Sequence, residues 1–388
     1  MTHTFIGRVA RTSAAGAALA VAALGGGPAQ ASDLRIALGL PDIYAAYEPL
    51  VEFAEALETT AGLESKVYPM SLLTLAETAG GVRDGLADVG FVVFPYHPVE
   101  FSEVNLAANL SMLATTGTQV PMPGAAAAGA SMEYTLLNCP DCLEQMKANN
   151  QVYIAGASTP PYRLLCTKPI TSAEDVKGGK FRAGAANFAR WAEALGGSSV
   201  SVPGNEIYDA LSQGVVDCTM TPLGDLIGGR FVDVTTHVTL NAPGGTFPGL
   251  GAANFNRDVW MDLNEEQRAA VLKAGARLAA SAVYAYVADD AEGLAAAKEK
   301  GVEIIDGDDS LKEATAAFVS GDLATIAEQF RDKFKVADVD AKIETFTGLM
   351  EKWKGLTAGL GEGDADALAD LYWTEVLSKV DPKTYAMD

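Results

Sequence analysis

The sequence predicts an α/β protein in which strands alternate with helices, forming parallel or mixed sheets covered on both faces. Three observations lead there. Short apolar runs bounded by glycine alternate with segments of helical period along the first two thirds of the chain. Hydrophobic residues make up 49% of the chain, enough to bury substantial cores. A length of 388 residues suggests two domains.

The elements follow in order. "DLRIALGL" (33–40) reads as a strand, and "IYAAYEPLVEFAEALETTAG" (43–62) as a helix, because its apolar residues recur at spacings of three and four and Gly62 stops it. "ESKVYPM" (64–70) is a second strand, "LLTLAETAGGVRDGLA" (72–87) a second helix and "ADVGFVVF" (87–94) a third strand, so the chain opens as βαβαβ. "GTQVPMPGAAAAG", Gly117 to Gly129, reads as a surface loop from its glycines and prolines. Ser172 stands three residues before Asp175, the spacing of a capping box that starts a helix. Beyond it come the strand "GGKFRAG" (178–184), the helix "AANFARWAEALGG" (185–197) stopped by Gly196 and Gly197, the strand "SSVSVPG" (198–204), the helix "NEIYDALSQG" (205–214) and the strand "VVDCTM" (215–220). From Leu263 to Gly301 a long helical pattern places Glu265 and Glu266 at the favourable N-terminal end of its dipole, and the remainder is mostly helical and acidic.

Within the stretch Thr159–Pro222, Arg182 ends a short strand, precedes a small-residue turn and a helix, and has no evident acidic partner in its own segment. Open α/β sheets hold ligands at that carboxyl edge of the strands, which makes Arg182 a candidate anion receptor.

The N-terminus carries Arg8 and Arg11, an apolar run from Ser13 to Gly27 and the small-x-small triplet Ala29-Gln30-Ala31. This is the pattern of an export leader over residues 1–31, with the mature chain starting near Ser32. The run is shorter than the roughly 20 apolar residues that span a bilayer, so the expectation is a soluble exported protein that is not membrane-spanning after cleavage. The leader holds two arginines and no acid, so its removal moves the formal charge from -22 to -24. Such acidity excludes nucleic acid as a natural partner, because its phosphates would be repelled.

Four cysteines remain in the mature chain, Cys139, Cys142, Cys166 and Cys218. The "NCPDC" loop suggests a local Cys139–Cys142 bridge, with Cys166 and Cys218 as buried thiols or a second bridge. Zinc would need about four ligands, and the mature histidines, His97 and His237, lie far from that loop in sequence. No nucleophile elbow, phosphate loop or pair of histidines at metal spacing is present, so neither an enzyme nor a cofactor is indicated.

Four segments, in this order, resemble one family. They are "KPITSAEDVKGGKFRAG" (168–184), "VPGNEIYDALSQGVVDCTMTP" (202–222), "ANFNRDVWMDLNEEQRAAVLKAG" (253–275) and "AAAKEKGVEI" (295–304). All are similar to the solute receptors of tripartite ATP-independent periplasmic (TRAP) transporters, of the dicarboxylate-receptor-like kind. The resemblance implies a two-lobed periplasmic-binding-protein fold, each lobe a mixed sheet flanked by helices, with crossing strands and a long hinge-spanning helix. Lobe I is expected over 32–158 plus about 245–288, and lobe II over 159–244 plus about 289–388 with the C-terminal helices. The implied function is capture of an organic carboxylate between the lobes, in the periplasm, and its delivery to membrane permease subunits.

The family's characteristic arginine falls on Arg182, where the resemblance implies a two-pronged salt bridge to the ligand carboxylate. A planar, permanently charged guanidinium suits that role on chemical grounds as well. A second family arginine falls on Tyr162 when counted without a gap, with Arg163 one step away. Neighbouring strand residues face opposite ways, so one of the two meets the cleft unless a bulge intervenes. Asn187, at the start of the following helix, is a further candidate for the anion. The family's "DGQENP" becomes "DCTMTP" here, which places Thr219 and Thr221 at the cleft strand and makes the pocket less polar. Val93 and Phe94, in a strand that is more polar in several relatives, together with Phe247 extend an apolar wall suited to an aromatic or otherwise apolar monocarboxylate, or to a dicarboxylate. Two other readings remain open: a receptor of another transporter class for a neutral or zwitterionic ligand, and a secreted thiol redox protein using Cys139 and Cys142.

Overall fold

The computed structural model describes residues 1–2, 33–361 and 363–388, so the expected leader beyond its first two residues lies outside the described residues. From Asp33 onward the chain is one compact unit containing two mixed sheets. In chain order the strands are β1 (Leu34–Leu38), β2 (Ser65–Pro69), β3 (Val89–Val93), β4 (Gln151–Ala157), β5 (Arg163–Cys166), β6 (Lys180–Arg182), β7 (Ser198–Val200), β8 (Cys218–Thr221), β9 (His237–Pro243), β10 (Leu250–Asn256) and β11 (Glu303–Ile305). The first sheet has the order β2-β1-β3-β10-β4 and the second β11-β9-β5-β8-β6-β7. In the first, β1 runs parallel to β2 and β3 while β10 is antiparallel to β3 and β4. The chain passes to the second sheet after β4 and returns to the first between β9 and β10. Each sheet centres one lobe of an α/β fold.

Local chemistry accounts for several of the element ends. The helix Tyr47–Ala61 stops at Gly62, whose φ of 63° is the left-handed geometry glycine tolerates. Ser172 and Asp175 form the expected capping box, with Asp175 Oδ2 accepting from the Ser172 N–H at 2.8 Å. Asn264 and Gln267 build a second box that starts the 35-residue helix Glu265–Glu299. That helix lies on the first sheet through Gly275, which abuts Ile154, and reaches the second lobe where Asp290 accepts from the Gly224 N–H at 3.1 Å.

Three expectations need correction. The second helix spans only Thr78–Arg83, because Glu77 accepts from the Thr74 N–H and hydroxyl and closes a turn ahead of it. The stretch read as a surface loop contains a helix, Pro123–Glu133, buried along its whole length after Pro123. Its small residues are there for close approach: a Cβ on Gly124 would sit 2.6 Å from the Thr159 carbonyl oxygen, and one on Gly129 would overlap the Trp353 ring. The C-terminal helices, expected with lobe II, divide between the lobes. Asp309–Asp332 does lie on second-lobe structure, where Trp191 Nε1 donates to Thr315 at 3.0 Å and Arg190 pairs with Asp322 at 2.7 Å. Val339–Thr357 and Ala365–Glu375 instead cover Pro123–Glu133, with Trp353 Nε1 donating to Glu133 at 2.7 Å and Tyr372 Oη to the Ala125 carbonyl at 2.8 Å.

All four cysteines are paired. Cys139–Cys142 closes the start of the helix Pro140–Ala148, and Cys166–Cys218 joins directly opposed residues of β5 and β8. Among the described residues no helix is long and apolar enough to cross a membrane.

Candidate functional site

Between the two sheets, at the carboxyl ends of β3, β6 and β8, lies a cavity in which water centres can occupy about 70 Å³, room for roughly five waters. Arg182, the last residue of β6, lines it and is only 3% exposed. Its Nε donates to the Val202 carbonyl at 2.8 Å and its Nη2 to the Tyr96 hydroxyl at 3.1 Å. Unlike Arg190, which is paired with Asp322, Arg182 has no carboxylate within ion-pairing distance and its Nη1 has no protein acceptor among the described residues. Burying a cation without a counter-ion is costly, so the site is prepared for an anion that brings one.

Tyr96 comes from the other lobe, at the end of the turn Phe94–Tyr96 that follows β3. Its hydroxyl accepts from Arg182 and from the Gly204 N–H at 2.9 Å, so one oxygen ties the first lobe to two points of the second. The walls are mostly apolar. Phe91 and Val93 share one face of β3, as the strand period requires, and Leu40, Leu75, Ile207 and Leu250 join them. Tyr162 and Phe247 form the aromatic side, their rings stacked at 5.7 Å and 12°, with Phe188 stacked behind Tyr162 at 4.5 Å.

The sequence candidates divide. Arg182, Tyr162, Thr221, Val93 and Phe247 line the cavity, and Arg163, Asn187, Thr219 and Phe94 do not. Arg163 turns back to donate to the Pro161 carbonyl at 2.9 Å, beside a register shift in the β5–β9 pairing. Burial lowers its pKa, and the carboxylate of Asp290 counters that. Asn187 donates to Ser111 Oγ at 3.0 Å across the lobes, and Thr219 is buried next to Arg182 in the β6–β8 ladder. Phe94, the first residue of the turn after β3, packs edge-on against Phe101 at 5.0 Å. The Cys139–Cys142 bridge is buried and lines no part of the cavity.

The lining residues that sequence reasoning did not single out include Tyr44, Tyr96, Tyr286 and Asp225. Burial pushes the phenols of Tyr44, Tyr162 and Tyr286 upward, with the negative field of Asp225 adding to it, so they are neutral hydroxyls at physiological pH. Burial likewise pushes the Asp225 carboxyl up to about 6, against the opposing pull of the Thr221 hydroxyl and of Arg182. The available signal for Asp225 was its place three residues after Pro222, in the turn that leaves a cleft strand. The tyrosines come from segments far apart in sequence and give no local signal.

Comparison with known proteins agrees with this architecture. A curated solute-binding protein of Albidiferax ferrireducens is 28% identical over 139 residues, which is 36% of this chain and 41% of that protein. The match therefore spans less than half of that relative's length. Among solved structures, a TRAP periplasmic solute binding protein from Bordetella bronchiseptica, with bound (R)-mandelate and (S)-mandelate, superposes with a TM-score of 0.67 at 23% identity, covering 83% of this chain and 99% of its own. A TRAP solute binding protein from Rhodoferax ferrireducens T118, in complex with copurified benzoate, gives 0.72 at 19% identity, covering 84% and 100%. The sequence profile of bacterial extracellular solute-binding proteins, family 7 (DctP), matches residues 40–329, and with three quarters of its length so matched the chain belongs to that family of solute-binding proteins rather than to an enzyme family.

Proposed function

We propose that this protein captures an organic carboxylate, aromatic or otherwise apolar, between its two lobes in the periplasm and hands it to the permease subunits of a TRAP-type transporter. The observation that carries this reading is Arg182: a buried guanidinium with no ion-pairing acid among the described residues, facing a cavity whose other walls are mostly leucine, valine and aromatic rings. A carboxylate would neutralise the charge with paired hydrogen bonds, and an apolar body would cover the walls. Related structures hold acids of this kind, namely mandelate, benzoate and 3-hydroxybenzoate, while others hold pyroglutamate or malonate. At -24 the mature chain repels anions at long range, so affinity would arise inside the desolvated cavity, where the arginine's field is poorly screened.

A thermal-shift screen of the mature protein tests the reading. A carboxylate present at about 100 times its Kd adds about 2.7 kcal/mol of stability and raises Tm by roughly 3 °C or more. Aromatic acids are expected ahead of sugar acids. Shifts confined to sugars, neutral amino acids or metal ions would remove the proposal.

Tyr96 supplies a second test. Tyr96→Phe deletes the acceptor shared by Arg182 and Gly204, a loss of about 1–2 kcal/mol in the closed form, so calorimetry should show the best acid from the screen binding about tenfold more weakly. Unchanged affinity would mean that this hydroxyl plays no part in closure.

A further inference from the structure

We infer that Asp225 reads a second feature of the ligand, and that the solute is a carboxylic acid carrying a hydrogen-bond donor, a hydroxyl or an amino group, rather than a plain apolar acid. This rests on the carboxylate reading above and narrows it. Arg182 and Asp225 line the same cavity without pairing with each other. The only side-chain donor to Asp225 among the described residues is the Thr221 hydroxyl, which engages Oδ2. A carboxylate offers about four acceptor sites, and Oδ1 has no protein donor among the described residues. Tyr44, Tyr162 and Tyr286 line the same space, and none of their hydroxyls has a protein hydrogen-bond partner among the described residues.

The charges explain why a donor is needed. Arg182 supplies one positive charge, and a bound carboxylate uses it. Asp225, with a carboxyl pKa near 6, is ionised at pH 8 and can then only accept. An unsubstituted acid would bring a second negative charge beside it and leave its free oxygen without a donor in a partly dried cavity, a double penalty. An O–H or N–H on the ligand removes the second part of that penalty, and an ammonium removes both. Two polar anchors at separated points of an apolar cavity also fix a ligand's orientation, which one arginine cannot do.

The test uses the mature protein at pH 8 and isothermal calorimetry with two series of probes. Phenylacetate, mandelate and phenylglycine differ only in carrying hydrogen, hydroxyl or ammonium on the α-carbon. Benzoate and its 2-, 3- and 4-hydroxy derivatives move the donor around the ring. At least one donor-bearing acid should bind about tenfold or more tighter than its parent, the size of one hydrogen bond to a charged group. Whether mandelate or phenylglycine leads distinguishes a hydroxyl from an ammonium. In Asp225→Ala that preference should fall below about twofold, and phenylacetate should tighten, because a like charge has gone. Asp225→Asn, which keeps the shape and an acceptor, should lose any ammonium preference while retaining part of a hydroxyl preference; it also guards against a folding defect in the alanine variant. The inference fails if every donor-bearing acid binds no better than its parent, or if Asp225→Ala weakens all probes equally. Those outcomes leave carboxylate capture standing, whereas a panel in which no acid binds removes both.

Discussion

Arg182→Ala is expected to weaken carboxylate binding by at least about 100-fold, within the 2–5 kcal/mol that losing one partner of a buried, hydrogen-bonded charge pair costs. The reason lies in how the guanidinium is held. Val202 and Tyr96 engage Nε and Nη2, which orients the group, while Nη1 and the charge remain for a guest. Arg182→Lys keeps the charge but not the fork, so it should recover only part of the lost affinity. Arg163→Ala gives the contrast. That side chain sits outside the cavity and offsets Asp290, so its removal should lower the melting temperature rather than the affinity. Calorimetry on the three variants, with a melt of each to confirm folding, decides the matter. Retention of full affinity by Arg182→Ala would overturn the assignment of the acid-binding group.

The second large effect concerns stability. Trp353→Ala should cost about 3–5 kcal/mol, measured by urea denaturation of the mature protein. Trp353 is fully buried, its ring lies against Gly129 and 5.5 Å from Tyr372, and its Nε1 bonds to Glu133. Removing it opens a hole between Val339–Thr357 and Pro123–Glu133 and takes a donor from a largely buried carboxylate. Glu133 keeps Lys352 as a partner at 2.8 Å, so the change should be severe without unfolding the chain. Ligand affinity in the folded fraction should change little, because Trp353 lines no part of the cavity. A cost under about 1.5 kcal/mol, the range of a single methylene-scale change in a core, would show that the two helices are not packed as described.

How much could be read beforehand depended on the range over which each signal acts. Helix caps are local, and Gly62, Ser172 and Asp175 ended or began helices where their chemistry placed them. The alternation of strand and helix is nearly as local, and it carried the α/β class. The stretch around Gly124 and Gly129 misled because small residues look alike in a loop and in a helix pressed against a tryptophan; the difference lay in Trp353, more than two hundred residues away. The cavity shows the same division. Arg182 was marked by its place at a strand end, Val93, Tyr162 and Thr221 by the resemblance to known receptors, and Phe247 by its aromatic ring. Phe94 and Arg163 illustrate what strand ends do to face assignments, since one step in sequence, or one register shift, turns a side chain away. Tyr44, Tyr96 and Tyr286 meet only because β1, β3 and the long helix bring distant segments to one point, and no window of sequence contains that fact.

The Cys166–Cys218 bond joins facing positions of β5, which Tyr162 immediately precedes, and β8, which ends in Thr221. Strands so fastened cannot slide past one another, and sliding by a single residue would exchange inward and outward side chains along the pair. Oxidation thus becomes a step in assembling the receptor's specificity, completed where thiols are not kept reduced. A chain retained in a reducing compartment would have the same residues and would lack the covalent guarantee of which ones meet the solute.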